Sequence, residues 1–364
     1  MKLIIQPGDG AERLIKGIRK AKKSVEVMIF RFDRAEIERA LIDAVERGVF
    51  VHALVAFTNR GGEQNLRKLE KRFLASGITV ARTAGDLVRY HGKMMIVDRK
   101  ELYVTAFNFT HLDMERSRSF GLFTRNPKLV GEAVTLFEAD TKRQVYSAGN
   151  SKFLVSPVNA RKELARFIQA AKKELLIYDP KISDRAMLRL LEDRRNAGVK
   201  IRVIGKISHK HLQSCELKRM RLHTRTMVRD RTHVFIGSQS LRQLELDARR
   251  EIGVIVRDGA SLKHVVHTFE EDWAASYGEG LEQKTGKHEV PAKKTAKKVA
   301  HLLSEDVRIN PAAKKIAKAI GEAADVNMNG RKVREKVKEV MHDVVEETAK
   351  DAAERTVKVV AEAS

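Results

Sequence analysis

Two hydrophobic periods take turns along residues 1–280. Short apolar runs, Ser24 to Phe30 and Phe50 to Ala56, read as strands. Around them, Glu12 to Lys22 and Ala35 to Arg47 repeat apolar residues every three or four positions, as amphipathic helices do. The pattern then recurs. Lys2-Leu3-Ile4-Ile5-Gln6-Pro7 is matched 150 residues later by Lys152-Phe153-Leu154-Val155-Ser156-Pro157. The same offset pairs Ala21-Lys22-Lys23 with Ala171-Lys172-Lys173, and Gly48-Val49 with Gly198-Val199. The second copy predicts helices over Arg161 to Lys172 and Asp184 to Asn196, and strands over Glu174 to Tyr178 and Lys200 to Ile204. Gly48 and Gly198 stand where a helix ends in the left-handed conformation that glycine adopts without steric cost. The first copy adds a helix, Gln64 to Ser76, and a strand, Ile78 to Thr83, where the second has fewer residues. The offset therefore falls to 132, and it holds through two more strands and a last helix, Pro127 to Lys142 or Ala260 to Trp273. Strands alternating with helices of this length imply α/β layers. A duplication predicts two similar domains, 1–149 and 150–280, packed face to face with a site between them, and a separate extension, 281–364.

The extension differs in kind. Pro291 to Lys298 reads as a basic linker or helix start, Pro311 to Ala324 as an Ala/Lys helix, and Arg331 to Ala363 as a long helix. Val333, Val337, Val340 and Val344 form one stripe on that helix, suited to a partner, to a second copy or to a membrane surface. Charge is not a property of this tail. Of the chain's 71 Lys+Arg and 48 Asp+Glu, residues 1–280 hold 53 and 34, so the body itself should attract polyanions. A single cysteine, Cys215, excludes an internal disulfide and a cysteine zinc cage. The first apolar run is too short for a signal peptide, and none approaches the roughly 20 residues of a membrane span. The expected location is cytoplasmic, with peripheral membrane contact through the C-terminal helices left open.

Chemistry concentrates in one motif that occurs twice. His91-x-Lys93-x4-Asp98 encloses the apolar strand Met94 to Val97, and His91 and Lys93, two apart, share a face. At the offset of 132 stands His223-x-Arg225-x4-Asp230. Ten residues beyond the aspartates come Asn108 and Ser240, and eleven further Ser119 and Glu251, each opening an apolar strand. A phosphodiester in its transition state needs cations and hydrogen-bond donors, which Lys93, Arg225, Asn108 and Ser240 supply. It also needs a nucleophile on one side and an acid on the other, which two histidines, one from each repeat, provide. No metal and no cofactor are expected. His209 and His211 lack a carboxylate or cysteine at ligand spacing, and no phosphate-binding glycine loop is present.

The run His91-x-Lys93-x4-Asp98, followed by Asn108, resembles the HxK(x)4D(x)6GSxN signature of the phospholipase D superfamily, and the resemblance extends over residues 1–279. It implies an internally duplicated α/β fold: two α/β/α layered domains with mixed sheets facing across a pseudo-two-fold axis, and a helical C-terminal tail outside them. It implies one active site within a single chain, with no obligate dimer, and a covalent phosphohistidine attacked by water or an alcohol. His91, Lys93, Asp98, His223, Arg225 and Asp230 would be catalytic, with Asn108, Ser240 and Glu251 binding phosphate or supporting. By this analogy His91 is the nucleophile, because its repeat keeps the fuller signature, and His223 the acid and later the base. There are departures. Arg225 replaces a lysine, Thr105-Ala106 the first Gly-Ser pair and Ser240 the second asparagine. The acid that follows the signature survives only as Glu251, with Ser119 in the other slot.

The expected partner is thus an anionic phosphodiester. The first reading is a phosphatidyl hydrolase or transferase resembling phospholipase D or cardiolipin synthase. The alternative is an endonuclease acting on DNA or RNA, and a third is a degenerate phosphate-binding module. Aromatic residues are 5% and do not interleave with the basic segments, which tilts the choice toward lipid.

Overall fold

A computed structural model describes residues 1–58, 62–208 and 211–285, the last eight by backbone only. The readings of His209 and of the helices beyond residue 285 lie outside the described residues.

The first repeat runs β1 (Lys2–Gln6), α1 (Glu12–Lys20), β2 (Ser24–Ile29), α2 (Ala35–Glu46), β3 (Phe50–Val55), α3 (Glu63–Ala75), β4 (Thr79–Arg82), β5 (Arg89–Tyr90), β6 (Met94–Val97), β7 (Glu101–Thr105), α4 (His111–Glu115), β8 (Ser117–Thr124) and α5 (Pro127–Lys142). The second runs β9 (Phe153–Val155), α6 (Ala160–Gln169), β10 (Glu174–Ile182), α7 (Arg185–Asn196), β11 (Lys200–Ile207), β12 (Gln213–Cys215), β13 (Arg221–Leu222), β14 (Arg225–Arg229), β15 (His233–Gly237), α8 (Gln243–Asp247), β16 (Arg249–Arg250), β17 (Ile252–Val256) and α9 (Gly259–Thr285). Helices α2 and α7 are followed by Gly48 (φ 80°) and Gly198 (φ 85°), as the sequence predicts. Helix α9 runs past Trp273, where the hydrophobic pattern places its end.

The two mixed sheets repeat one topology. Strand order is β1-β8-β7-β6-β2-β3-β4 in one and β9-β17-β15-β14-β10-β11-β12 in the other, with β2-β3-β4 and β10-β11-β12 parallel. The inner faces of both sheets share one core, in which Met94, Val104 and Phe120 meet Val228, Ile236 and Val254 together with Leu136 of α5 and Phe269 of α9. The outer faces are covered separately, the first by α1, α2 and α3 and the second by α6 and α7. Both sheets belong to one compact unit, Met1–Glu282.

Two short parallel pairings lock the repeats together. Arg89–Tyr90 pairs with Arg249–Arg250, and Arg221–Leu222 pairs with Ser117–Arg118. Each brings the segment just before one histidine against the residues just before Glu251 or Ser119 of the other repeat. Gly92 lies at this junction, where a Cβ would stand 2.5 Å from Ile252 Cδ1 and 2.8 Å from Met28 Sδ. Among the described residues no helix is long and apolar enough to cross a membrane.

Candidate active site

The interlocking strands fix both histidines by their main chains. His91 N–H donates to Arg250 O (2.7 Å) and His223 N–H to Arg118 O (3.1 Å). Each histidine therefore hangs from the opposite repeat, which also presents it with a carboxylate. His91 Nδ1 donates to Glu251 Oε2 at 2.8 Å. The His223 counterpart of Glu251 is Ser119, whose hydroxyl makes no hydrogen bond. Instead Asp113, in α4, brings Oδ2 to 3.4 Å from His223 Nδ1.

Both cations fold back on their own histidine. Lys93 Nζ donates to His91 O (2.7 Å) and to His91 Nε2 (2.9 Å), and Arg225 donates to His223 O (2.8 Å). Lys93 at Nε2 and Glu251 at Nδ1 agree on one tautomer, with the proton on Nδ1 and the lone pair on Nε2. The edge-to-face ring of Phe30, 4.5 Å from the His91 ring, closes the apolar side.

Burial dominates the electrostatics. It pushes the His91 imidazole well below its usual value, and Lys93 and Arg225 push it in the same direction. Burial also lowers His223, where Asp113 opposes the fall. Lys93 is brought down to about 7, mainly by burial, with Glu251 working against it. Burial raises the Glu251 carboxyl above its usual range. Asp113 is held below the usual range although burial acts against this, because His223, the Asn108 amide and Arg221 favour its anion. Burial thus favours the unprotonated form of His91 more than that of His223, whose partner Asp113 favours the charged ring. His91 presents an Nε2 lone pair, and His223 has a carboxylate that favours taking up a proton.

Other residues singled out from the sequence have different places. Asn108 donates from its backbone N (2.8 Å) and its Nδ2 (2.7 Å) to Asp113 Oδ2, so it positions the carboxylate beside His223 and keeps one amide hydrogen for a ligand. Ser240 is turned away from phosphate binding. Its hydroxyl hydrogen-bonds the Asp179 carboxylate and lies 2.9 Å from Lys181 O. Asp98 and Asp230, expected to be catalytic, are not at the site. Asp98 accepts from the backbone N–H groups of Lys22, Lys23 and Ser24, and Asp230 from those of Lys172, Lys173 and Glu174. Four strand residues stand between each and its cation, five steps of chain or about 16 Å at the usual rise. The spacing recurs because the fold requires it: each aspartate ties the turn after β6 or β14 to the start of β2 or β10.

Asp113 and Asp179 are not among the residues that the motif spacing singles out. Asp113 lies five residues after Asn108 and Glu245 five after Ser240, so the offset of 132 carries an acid in both repeats and is the signal that marks them. Asp179 sits where β10 shifts register between Tyr178 and Lys181. Such a bulge re-aims a side chain. The bulge depends on Gly205 (φ 137°), whose absent Cβ would fall 1.8 Å from Asp179 O. Among the described residues no cluster of His, Cys, Asp and Glu is arranged to hold a metal ion.

Comparison with known proteins agrees on the family. The family model described as cardiolipin synthase, PLD-like domain, matches residues 14–141 and 164–273. Over 120 residues the chain is 28% identical to a mitochondrial cardiolipin hydrolase of Danio rerio, a stretch that makes up 32% of this chain and 51% of that protein, so the match spans about half the relative's length. In fold it is similar to phosphatidylserine synthase of Haemophilus influenzae Rd KW20 (TM-score 0.58, 11% identity, 74% of this chain and 85% of that one). It is also similar to polyphosphate kinase of Porphyromonas gingivalis (TM-score 0.63, 19% identity, 74% and 49%).

Proposed function

The chain belongs to the phospholipase D-like family, and from that premise we propose that it cleaves or transfers the phosphatidyl group of a phospholipid through a phosphohistidine formed on His91. The observation that carries this reading is the pair of buried histidines, each facing a carboxylate from the other repeat, with Lys93 and Arg225 beside them.

The proposed steps are these. Lys93 and Arg225 receive the nonbridging phosphoryl oxygens, the phosphate displacing Lys93 from His91 Nε2. That lone pair attacks phosphorus, forming a P–N bond. The bond from phosphorus to the leaving oxygen breaks, and His223, protonated through its contact with Asp113, gives that oxygen its proton. His223, now neutral, takes a proton from water or an alcohol, whose oxygen attacks phosphorus. The P–N bond breaks and returns its electrons to His91. Glu251 holds the Nδ1 proton throughout, which favours the imidazolium-like charge that develops on phosphorylation. Each repeat supplies one histidine and one cation, so one chain makes one site.

Support for a lipid comes from the family description and from the name of the zebrafish relative. The body's excess of 53 basic over 34 acidic residues serves a nucleic acid equally well, and the endonuclease reading is kept for the test. Purified full-length chain is offered vesicles containing cardiolipin and phosphatidylglycerol and, in parallel, labelled single-stranded DNA. Release of phosphatidate or a transferred phosphatidyl group, with DNA left intact, is expected. Cut DNA with untouched lipid would replace this reading by the nuclease.

A further inference from the structure

The offset that relates the histidines also relates two buried ion pairs that the reaction scheme does not use. Arg118 and Arg250 are 132 residues apart, and so are Asp140 and Asp272. The pairs form crosswise. Arg118 of the first repeat forks onto Asp272 of α9 (2.7 and 3.0 Å), and Arg250 of the second meets Asp140 of α5 (3.0 Å). Each guanidinium also reaches a carbonyl at or just past the end of its own repeat's first strand, Gln6 O or Ser156 O, both at 3.3 Å. Gln6 and Ser156 are themselves related by the offset of 150.

These arginines are the residues whose carbonyls hold the histidines. Arg250 O accepts His91 N–H, and the next residue, Glu251, holds His91 Nδ1. Arg118 O accepts from both His223 and Thr224, while Ser119 after it gives His223 nothing. The Asp140 side chain is 1% exposed and the Asp272 side chain 9%. Burying four charges is costly, and a well-packed apolar set of similar volume would hold two sheets together at least as well. The pairs therefore call for a reason beyond cohesion. That reason is aim: a buried ion pair together with a carbonyl contact holds its arginine, and hence the carbonyl it carries, the Arg118 pair as a fork and the Arg250 pair through a single 3.0 Å contact.

We propose that Arg250–Asp140 positions His91 and Arg118–Asp272 positions His223, each pair setting the geometry of one chemical step. The proposal rests on His91 as nucleophile and His223 as acid and base, and it makes all four side chains positioning residues. The two pairs should then fail differently. A 4-nitrophenyl phosphodiester separates the steps, because nitrophenolate leaves without a proton, whereas breakdown of the phosphoenzyme still needs a base.

The test is rapid-quench kinetics on the full chain with that substrate labelled at phosphorus. The variants are Asp140→Asn and Arg250→Lys against Asp272→Asn and Arg118→Lys, with thermal melts alongside. The lysine variants keep the charge and carry the comparison if an asparagine variant does not fold. A misplacement of about 1 Å is worth roughly a hundredfold in rate. The first two variants should therefore slow the nitrophenolate burst by about that factor and hold little phosphoenzyme. The last two should leave the burst within about threefold, slow turnover, and accumulate phosphoenzyme. Equal slowing of both steps in all four, in proportion to lost melting temperature, would reduce the pairs to cohesion and overturn the inference. Wild-type chain that turns over with no phosphohistidine would instead overturn the reading beneath it.

Discussion

His91 and His223 occupy equivalent places 132 residues apart, yet the carboxylates that meet them come from different positions of the duplicated frame. Glu251 opens a strand and touches His91 at 2.8 Å. Its counterpart is Ser119, and His223 turns to Asp113 on a short helix, at 3.4 Å and shared with Asn108 and Arg221. The backbone scheme is the same in both halves: a histidine N–H on an arginine carbonyl, and a cation folded over the histidine carbonyl. Duplication has kept the main-chain frame and let the side chains specialise. A short, fully buried carboxylate contact fixes one tautomer, which suits a nucleophile that must present the same lone pair every time. A longer contact with a shared carboxylate lets the ring gain and lose a proton, which suits an acid and base.

The largest expected effect breaks the comparison outright. His91→Ala should remove at least about four orders of magnitude of turnover, because the covalent step is gone. His223→Ala on a nitrophenyl diester should instead release one burst of nitrophenolate and then stall, as followed by stopped-flow absorbance. Equal bursts from both variants would make the halves interchangeable. Next come the carboxylates. Glu251→Gln should cost about a hundredfold in kcat and Asp113→Asn about tenfold, within the range of groups that orient a reacting imidazole. Steady-state rates at one pH rank them, and the reverse order would exchange the roles of the histidines.

A smaller effect concerns pH. Burial lowers Lys93 to about 7, so its charge, which the proposed mechanism sets against the phosphate, is present below that value and lost as pH rises through it. kcat/KM should fall on the alkaline side of about pH 7, by up to tenfold for each unit. Lys93→Arg should flatten that limb, since a guanidinium does not titrate there, at the cost of a lower plateau. An unchanged alkaline limb in the variant would assign it to another group. The smallest effect is none. If Lys93 and Arg225 neutralise the phosphoryl oxygens as proposed, exhaustive chelation should leave the rate of diester cleavage unchanged. A loss restored by one divalent ion would contradict this.

Much of this architecture is legible in the amino-acid sequence alone. The two offsets carry the duplication, the order of strands and helices, and the histidines with their cations, because periodicity and register survive in a linear string. Glu251 stands out as a lone acid, but its meeting with His91 across 160 residues does not, since no local pattern encodes which strand of one repeat pairs with which of the other. Asp98 and Asp230 mislead for a related reason. Their spacing from the histidines reflects a turn that must bind backbone N–H groups, and spacing alone does not separate a fold constraint from a chemical one. The offset marks Asp113 as an acid matched by Glu245 but not whom it serves: it faces the other repeat's histidine, and nothing local to α4 points across that boundary. Ser240 deceives because a bulge in β10 carries Asp179 onto its hydroxyl, and a bulge leaves no mark in hydrophobic periodicity.

The central claim is that two unlike halves close one site in one chain and that His91 carries the covalent bond. Full-length protein mixed with phosphorus-labelled nitrophenyl diester, quenched in alkali and mapped by peptide, tests it directly. The account predicts one label per chain, on His91 Nε2, lost in His91→Ala and accumulating in His223→Ala. Label on His223, or two labels per chain, would contradict it.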